Sequence, residues 1–137
     1  MALDYSRYNI LVAEDNYINQ KLLSKLLSKK GYNSFVVEDG EKVLKALEER
    51  KFDAVLMDIQ MPLMDGYQAT TIIRQREKES GGRHVPIIGI TAFAMESDRQ
   101  KCFEIGMDDY LSKPFNKDDF YDIIEKHVTN NAESHVK

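Results

Sequence analysis

The sequence predicts one doubly wound α/β domain: a five-stranded parallel sheet in the order 2-1-3-4-5 with helices on both faces. Three observations lead there. Short apolar runs alternate five times with amphipathic stretches of helical length. Runs that are apolar on both faces need helices above and below, which is the habit of parallel sheets. With 137 residues the chain holds one domain and is too short for the eight units of a barrel. Right-handed crossovers prune the topology to a doubly wound fold, and the order 2-1-3-4-5 suits five units of this length.

The first strand is predicted over 9–13, stopped by Glu14-Asp15-Asn16. A helix follows with Ile18, Leu22, Leu23, Leu26 and Leu27 on one face and Lys21, Lys25 and Lys29 on the other; Asp15 or Asn16 can cap it and Gly31 ends it. Ser34 to Val37 makes the second strand, and Asp39-Gly40 turns into a helix carrying Val43, Leu44 and Leu47. Residues 52–57 supply the third strand, ending at Asp58, followed by a loop with Pro62 and Asp65-Gly66 and a helix through Ile72 and Ile73. The polar stretch 74–83 reads as the longest exposed connection. Residues 86–90 form the fourth strand, ending at Thr91, and a helix spans 95–105 to Gly106. Tyr110-Leu111 lies in a short fifth strand ending at Lys113-Pro114, and Asn116 can cap a last helix with Phe120, Ile123 and Ile124 inward. The expected organisation is a linker over 1–7, a domain over 8–128 and a polar linker or frayed tail over 129–137.

Composition narrows the function. The 19 basic and 23 acidic residues give a formal net charge of −4, with no basic block to grip nucleic acid. No apolar run approaches the roughly 20 residues of a membrane helix. A single cysteine rules out an internal disulfide and a multi-thiolate zinc site, so a reducing cytoplasm is the expected setting. His84, His127 and His135 lack ligand spacing, with His127 expected in solvent, and Cys102 reads as a small packed hydrophobe.

In an open parallel sheet ligands bind beyond the carboxyl ends of the strands. Those ends carry Glu14-Asp15, Asp58, Thr91 and Lys113. Singly, each has an ordinary explanation as a cap or a solvated charge; together they are a constellation. Three carboxylates in one place repel, and burial would raise at least one of their pKa values strongly. Lys113 can offset one charge, and a hard divalent cation with oxygen ligands, Mg²⁺ first, the others. Metal, ammonium and hydroxyl around one carboxylate suit phosphoryl transfer.

These residues, with the stretch Met57-Asp58-Ile59-Gln60-Met61-Pro62-Leu63-Met64-Asp65-Gly66, the pair Thr91-Ala92 and Tyr110-Leu111-Ser112-Lys113-Pro114, resemble the receiver domain of two-component response regulators over about 8–127. Ala13-Glu14-Asp15-Asn16, Asn19-Gln20 and Gly106-Met107-Asp108-Asp109-Tyr110 are most similar to receivers of hybrid sensor histidine kinases. The resemblance implies a flavodoxin-like fold in which Asp58 accepts a phosphoryl group from phosphohistidine. It implies Mg²⁺ (Mn²⁺ as a substitute) on Asp15, Asp58 and the Gln60 backbone carbonyl, with Glu14 acting through water; Glu14 departs from the commoner Asp-Asp pair. Lys113 would pair with a phosphoryl oxygen and Thr91 donate to another. Thr91 and Tyr110 would form the switch to the face of the fourth helix, fifth strand and fifth helix, Gln60 and Phe93 would tune the acyl-phosphate lifetime, and Lys113-Pro114 would be cis. Ile18 is the candidate docking residue for a histidine kinase or histidine phosphotransfer domain.

The resemblance further implies a self-phosphorylating signalling module, monomeric, touching neither nucleic acid nor membrane. It would stand alone or be part of a hybrid kinase, which can itself be membrane-anchored. An aspartyl-phosphate phosphatase is the rival reading, weakened because Gln60 stands where that chemistry needs a second aspartate. A non-phosphorylated scaffold is another, and the intact acidic set argues against it. A flavin site lacks its phosphate-cradling loop at 14–17.

Overall fold

The computed structural model describes residues 5–92 and 95–136, with side chains to Thr129. Five strands, β1 (Asn9–Ala13), β2 (Asn33–Val37), β3 (Ala54–Asp58), β4 (Ile87–Thr91) and β5 (Asp109–Ser112), form one sheet in the order β2-β1-β3-β4-β5. Every neighbouring pair is parallel. The helices are α1 (Tyr17–Lys30), α2 (Gly40–Glu49), α3 (Gly66–Ser80), α4 (Glu96–Ile105) and α5 (Lys117–Val136), with a short 3₁₀ turn at Tyr5–Arg7. The predicted order and the alternation of units both hold.

The strand period of two splits the core into two layers. Leu11, Ala13, Val55, Met57 and Ile87 point to the layer shared with Val43 and Leu44 of α2, Ala69 and Ile73 of α3 and Cys102 of α4. Ile10, Val12, Leu56, Ile88 and Ile90 point the other way, onto Leu23 and Leu27 of α1 and Phe120, Ile124 and Val128 of α5. All of these side chains are buried. At about 25 cal/mol per Å² of apolar surface removed from water, each buried Leu, Ile or Phe contributes roughly 1.5–3 kcal/mol, so the two layers dominate the folding free energy.

Four helices start on side-chain caps that the sequence supplies. Asn16 accepts the Asn19 N–H at 3.1 Å, Asp39 that of Lys42 at 2.9 Å, Asp65 that of Gln68 at 2.9 Å and Asn116 that of Asp119 at 2.8 Å. Asn16, not Asp15, caps α1.

Five expectations need correction. Ile18 and Leu22 are 75% and 49% exposed, so the five-residue apolar face of α1 is wider than the stripe the sheet covers. Strand β2 is largely exposed because it is an edge with one neighbour. Helix α3 does not stop near Ile73 but runs to Ser80, since residues 74–79 are good helix formers and Gly81, at φ 66°, is the first stop. Arg74 is therefore no loop residue; it sits half-buried on α3, bonded to Gly106 and Asp108. Helix α5 is helical to Val136, past 128, because nothing in that polar stretch breaks a helix. His127 is not in solvent: it pairs with Asp109 Oδ2 at 2.8 Å across the α5–β5 contact.

Candidate functional site

The strand register assembles the site. Ala13 pairs with Met57, so the next residues, Glu14 and Asp58, lie side by side at the carboxyl edge. Asp58 pairs with Ile90 and Thr91 with Ser112, which brings Thr91 and then Lys113 into the same row. The backbone of Lys113 is tied in by its N–H to the Thr91 carbonyl at 2.7 Å, and Lys113-Pro114 is cis, as expected.

The predicted carboxylates converge. Glu14, Asp15 and Asp58 each place an oxygen within 4.8 Å of the others. Glu14 and Asp58 are buried and Asp15 is exposed. Lys113 Nζ lies 3.4 Å from Glu14 Oε1 and 3.6 Å from Asp58 Oδ2, so one ammonium contacts two of the three clustered carboxylates. Two like charges at such separations repel by about 3 kcal/mol at an effective dielectric of roughly 20. Burial pushes the Glu14 carboxyl up, with Asp58 beside it adding to the effect, against the Asn16 N–H and Lys113, which pull it down. Asp15 is raised as well, by desolvation first and by contact with Glu14 second.

Backbone N–H groups hold the two buried carboxylates in place. The Asn16 N–H donates to Glu14 Oε2 at 3.0 Å and the Gln60 N–H to Asp58 Oδ1 at 3.1 Å, which fixes both carboxylates in the row. The Gln20 amide donates to the Glu14 carbonyl at 2.6 Å and locks the β1–α1 loop. Gly66 allows the close approach of α3: a Cβ there would lie 2.6 Å from the Asp58 carbonyl oxygen and 2.9 Å from Ile59 Cα. A cleft of about 650 Å³ opens over this edge, bordered by Asp15, Gln60, Thr91, Asp65, Asp98 and Lys101.

The donor set fits a hard divalent cation. It offers three carboxylates, no sulfur and no imidazole, and it carries excess negative charge that the protein does not itself balance. That has a measurable consequence. Acids raised in the fold stabilise it fully only below their unfolded values, and the contribution is lost as pH rises through the raised ones, so the stability that Glu14 and Asp15 contribute to the metal-free domain is gone at neutral pH. Metal binding needs the deprotonated acids and reverses this. The rise in Tm on adding MgCl₂ is expected to be larger at about pH 7.5 than at about pH 5, read by thermal melts. An equal rise at both pH values would mean that the ion is held elsewhere.

Thr91 is buried, and Tyr110 is half-buried against the α2–α3–α4 layer, with burial raising its phenol. Phe93 lies outside the described residues. Two features escaped the sequence. Tyr17, 65% exposed, continues the apolar surface of Ile18 and Leu22 at the start of α1, next to the acidic edge. Leu63, 79% exposed, stands in the loop after Asp58 with φ 65°, a left-handed conformation that costs a leucine about 1–2 kcal/mol. Tyr17 was legible as an aromatic just past a cap; nothing local marks the φ of Leu63.

Residues 10–125 match the family described as the response regulator receiver domain. The chain is 44% identical over 124 residues to hybrid signal transduction histidine kinase I of Dictyostelium discoideum, covering 87% of this chain and 7% of that protein. It is 39% identical to sensor histidine kinase GacS of Pseudomonas protegens, covering 85% of this chain and 13% of the relative. It thus spans a small fraction of the length of both. The receiver domain of a Pseudomonas aeruginosa sensor histidine kinase, solved with magnesium in its active-site cleft, superposes with TM-score 0.80 at 38% identity, over 89% of this chain and 98% of that one. The receiver domain of Ssk1 from Saccharomyces cerevisiae, solved with the histidine phosphotransfer protein Ypd1, superposes with TM-score 0.85 at 29% identity, over 89% of both chains. With the fold, the acidic trio and the lysine in register, the chain belongs to the response regulator receiver domain family.

Proposed function

We propose that Asp58 is the phosphoacceptor of a phosphorelay, taking the phosphoryl group of a phosphohistidine in a Mg²⁺-dependent reaction. The observation that carries this is the setting of Asp58: buried at a strand end, held on Oδ1 by the Gln60 N–H and facing Lys113 through Oδ2, with Glu14 and Asp15 beside it. Asp15, Asp58 and the Gln60 carbonyl would hold the ion directly and Glu14 through water, with Mn²⁺ as a substitute. When bound, the ion supplies positive charge for the non-bridging phosphoryl oxygens.

A carboxylate oxygen of Asp58 attacks phosphorus in line, the P–N bond to the donor imidazole breaks, and the imidazole nitrogen keeps the electron pair. Lys113 meets one phosphoryl oxygen and Thr91 donates to another. The new dianionic group draws Thr91 inward and lets Tyr110 turn toward the core, altering the α4–β5–α5 face. Gln60 and Phe93 tune how fast water reaches the acyl phosphate.

Partners follow from the same reading: a histidine kinase, a histidine phosphotransfer domain, or both, docking over the Tyr17–Ile18–Leu22 surface beside the acidic edge. Among the described residues no helix is long and apolar enough to cross a membrane. We place the domain in the cytoplasm, as a monomer, and as part of a longer hybrid kinase. Ile18→Asp is expected to slow transfer from a phosphorylated phosphotransfer domain about tenfold relative to labelling by acetyl phosphate, because a desolvated anchor is lost. Equal slowing with both donors would remove Ile18 from the interface.

The test of the function itself is a chase. Phosphorylated phosphotransfer protein is mixed with the chain in Mg²⁺ or in excess EDTA. Label should move to the chain in Mg²⁺ alone; retention on the donor in both would refute the proposal. The phosphatase reading has less support, since Gln60 is exposed and carries no acid.

A further inference from the structure

At the other end of the sheet, where β3 and β4 begin, a cleft of about 450 Å³ opens between the C-terminal halves of α2 and α3. It takes no part in the chemistry at Asp58. Its floor is apolar: Leu44, Leu47, Phe52, Ile73 and Val85. Such a volume and lining match a small-molecule site, which is commonly 300–1,000 Å³ with an apolar body and a few polar groups at its edge. We propose that this cleft binds a small amphipathic monoanion, a monocarboxylate with an apolar chain or ring.

The sign of the ligand comes from the rim. Four cations, Arg50, Lys51, Arg76 and Arg83, face two carboxylates, Glu48 and Glu77, in a chain whose formal net charge is −4. Neither carboxylate is free to repel a ligand. Glu48 is engaged by Arg76 at 3.0 Å. Glu77 is turned into the protein, accepting from Arg74 and from the Val85 N–H, both at 2.8 Å. Arg83 leans toward Asp53 at 3.5 Å. Among the described residues, Arg50 and Lys51 have no carboxylate in ion-pair range; the Arg50 guanidinium rests 4.9 Å from the Phe35 ring centre.

The C-termini of α2 and α3 also lie here, at Arg50 and Gly81, and each contributes about half a negative charge. Two half-charges do not cancel two full cations. The positive charge offered to a ligand is therefore local, at Arg50 and Lys51, and suits a monoanion better than a dianion. The apolar floor in turn disfavours inorganic anions, which would bury nothing.

The proposal does not depend on the reading of Asp58, and its test separates the two. The nitrogen-15-labelled chain is titrated with decanoate and, separately, with decanol, and amide shifts are followed. Decanoate should cause saturable shifts confined to the second halves of α2 and α3 and to 82–85, and bind at least about fivefold tighter than decanol. Addition of Mg²⁺ and beryllofluoride should leave that affinity unchanged. Arg50→Glu with Lys51→Glu, both exposed, should weaken decanoate about tenfold and leave decanol unaffected. Equal affinity for acid and alcohol, shifts outside the cleft, insensitivity to the double variant or no saturable shift would each overturn the proposal. The wild-type comparison stands even if the variant does not fold.

Discussion

Asp58→Asn is expected to lower phosphoryl incorporation from acetyl phosphate by at least about a thousandfold, to background, with an unchanged circular dichroism spectrum. The change is isosteric, and the Gln60 N–H that donates to Oδ1 at 3.1 Å keeps an oxygen to donate to. The amide, however, has lost the anionic nucleophile, and a carboxamide cannot form an acyl phosphate. Removal of a nucleophile from an assembled site is among the largest single effects in catalysis. Of the two acids beside it, Glu14 is buried and held by the Asn16 N–H, while Asp15 is exposed and could substitute, although it has no contact to Lys113 in ion-pair range among the described residues. Label that persists in Asp58→Asn and survives acid or disappears with Asp15→Asn would move the acceptor away from Asp58.

The second large effect is on stability, and it lies far from the acids. Arg74→Met should destabilise the domain by about 3 kcal/mol and lower Tm by roughly 10 °C, measured by urea and thermal unfolding. The guanidinium makes four bonds that no other group can replace. Nε donates to the Gly106 carbonyl, one terminal nitrogen to Glu77 and to the Val85 carbonyl, all at 2.8 Å, and the other to Asp108 at 2.6 Å. Asp108 also accepts the Ile87 N–H at 2.8 Å, so Arg74 joins the middle of α3, the end of α4 and the starts of β4 and β5. Gly106 is needed for that approach, as φ is 120° and a Cβ would come within 2.8 Å of Arg74 Cγ. Arg74 is 16% exposed and Asp108 24%, so the loss falls somewhat below the 3–5 kcal/mol of a fully buried pair. Arg76→Met is the control. Its partner Glu48 is 63% exposed, and that pair should contribute less than about 1 kcal/mol. Equal losses for the two variants would mean that the Arg74 network adds nothing beyond side-chain burial.

These two residues also show what a sequence can disclose. Asp58 was legible because a strand is marked by its apolar run, the residue ending it is marked by charge, and parallel topology sends all such ends to one edge. Glu14, Asp15, Thr91 and Lys113 followed by the same logic, and the register places them in one row. Arg74 was illegible. It sits in a polar stretch that reads as surface, and its partner Asp108 is 34 positions away. His127 failed alike, since Asp109, 18 positions before it, becomes its neighbour only when α5 packs beside β5. The apolar face of α1 erred in the opposite direction. Helical periodicity counts apolar residues on a face but not the width that the sheet can cover, so Ile18 and Leu22 remain outside, where a partner can reach them. Polar groups buried by tertiary contact and apolar groups left out of it are invisible to periodicity for the same reason: both depend on what lies opposite.

The most direct measurement treats the wild-type chain with acetyl phosphate, traps the product with borohydride and maps the peptides by mass spectrometry. Borohydride reduces an aspartyl phosphate to homoserine and leaves a free aspartate untouched. Conversion at position 58 in Mg²⁺, and at no position in EDTA, is the expected result. Conversion at another acid, or equal conversion at Asp58 without a divalent ion, would contradict an acceptor made ready by a cation among three carboxylates.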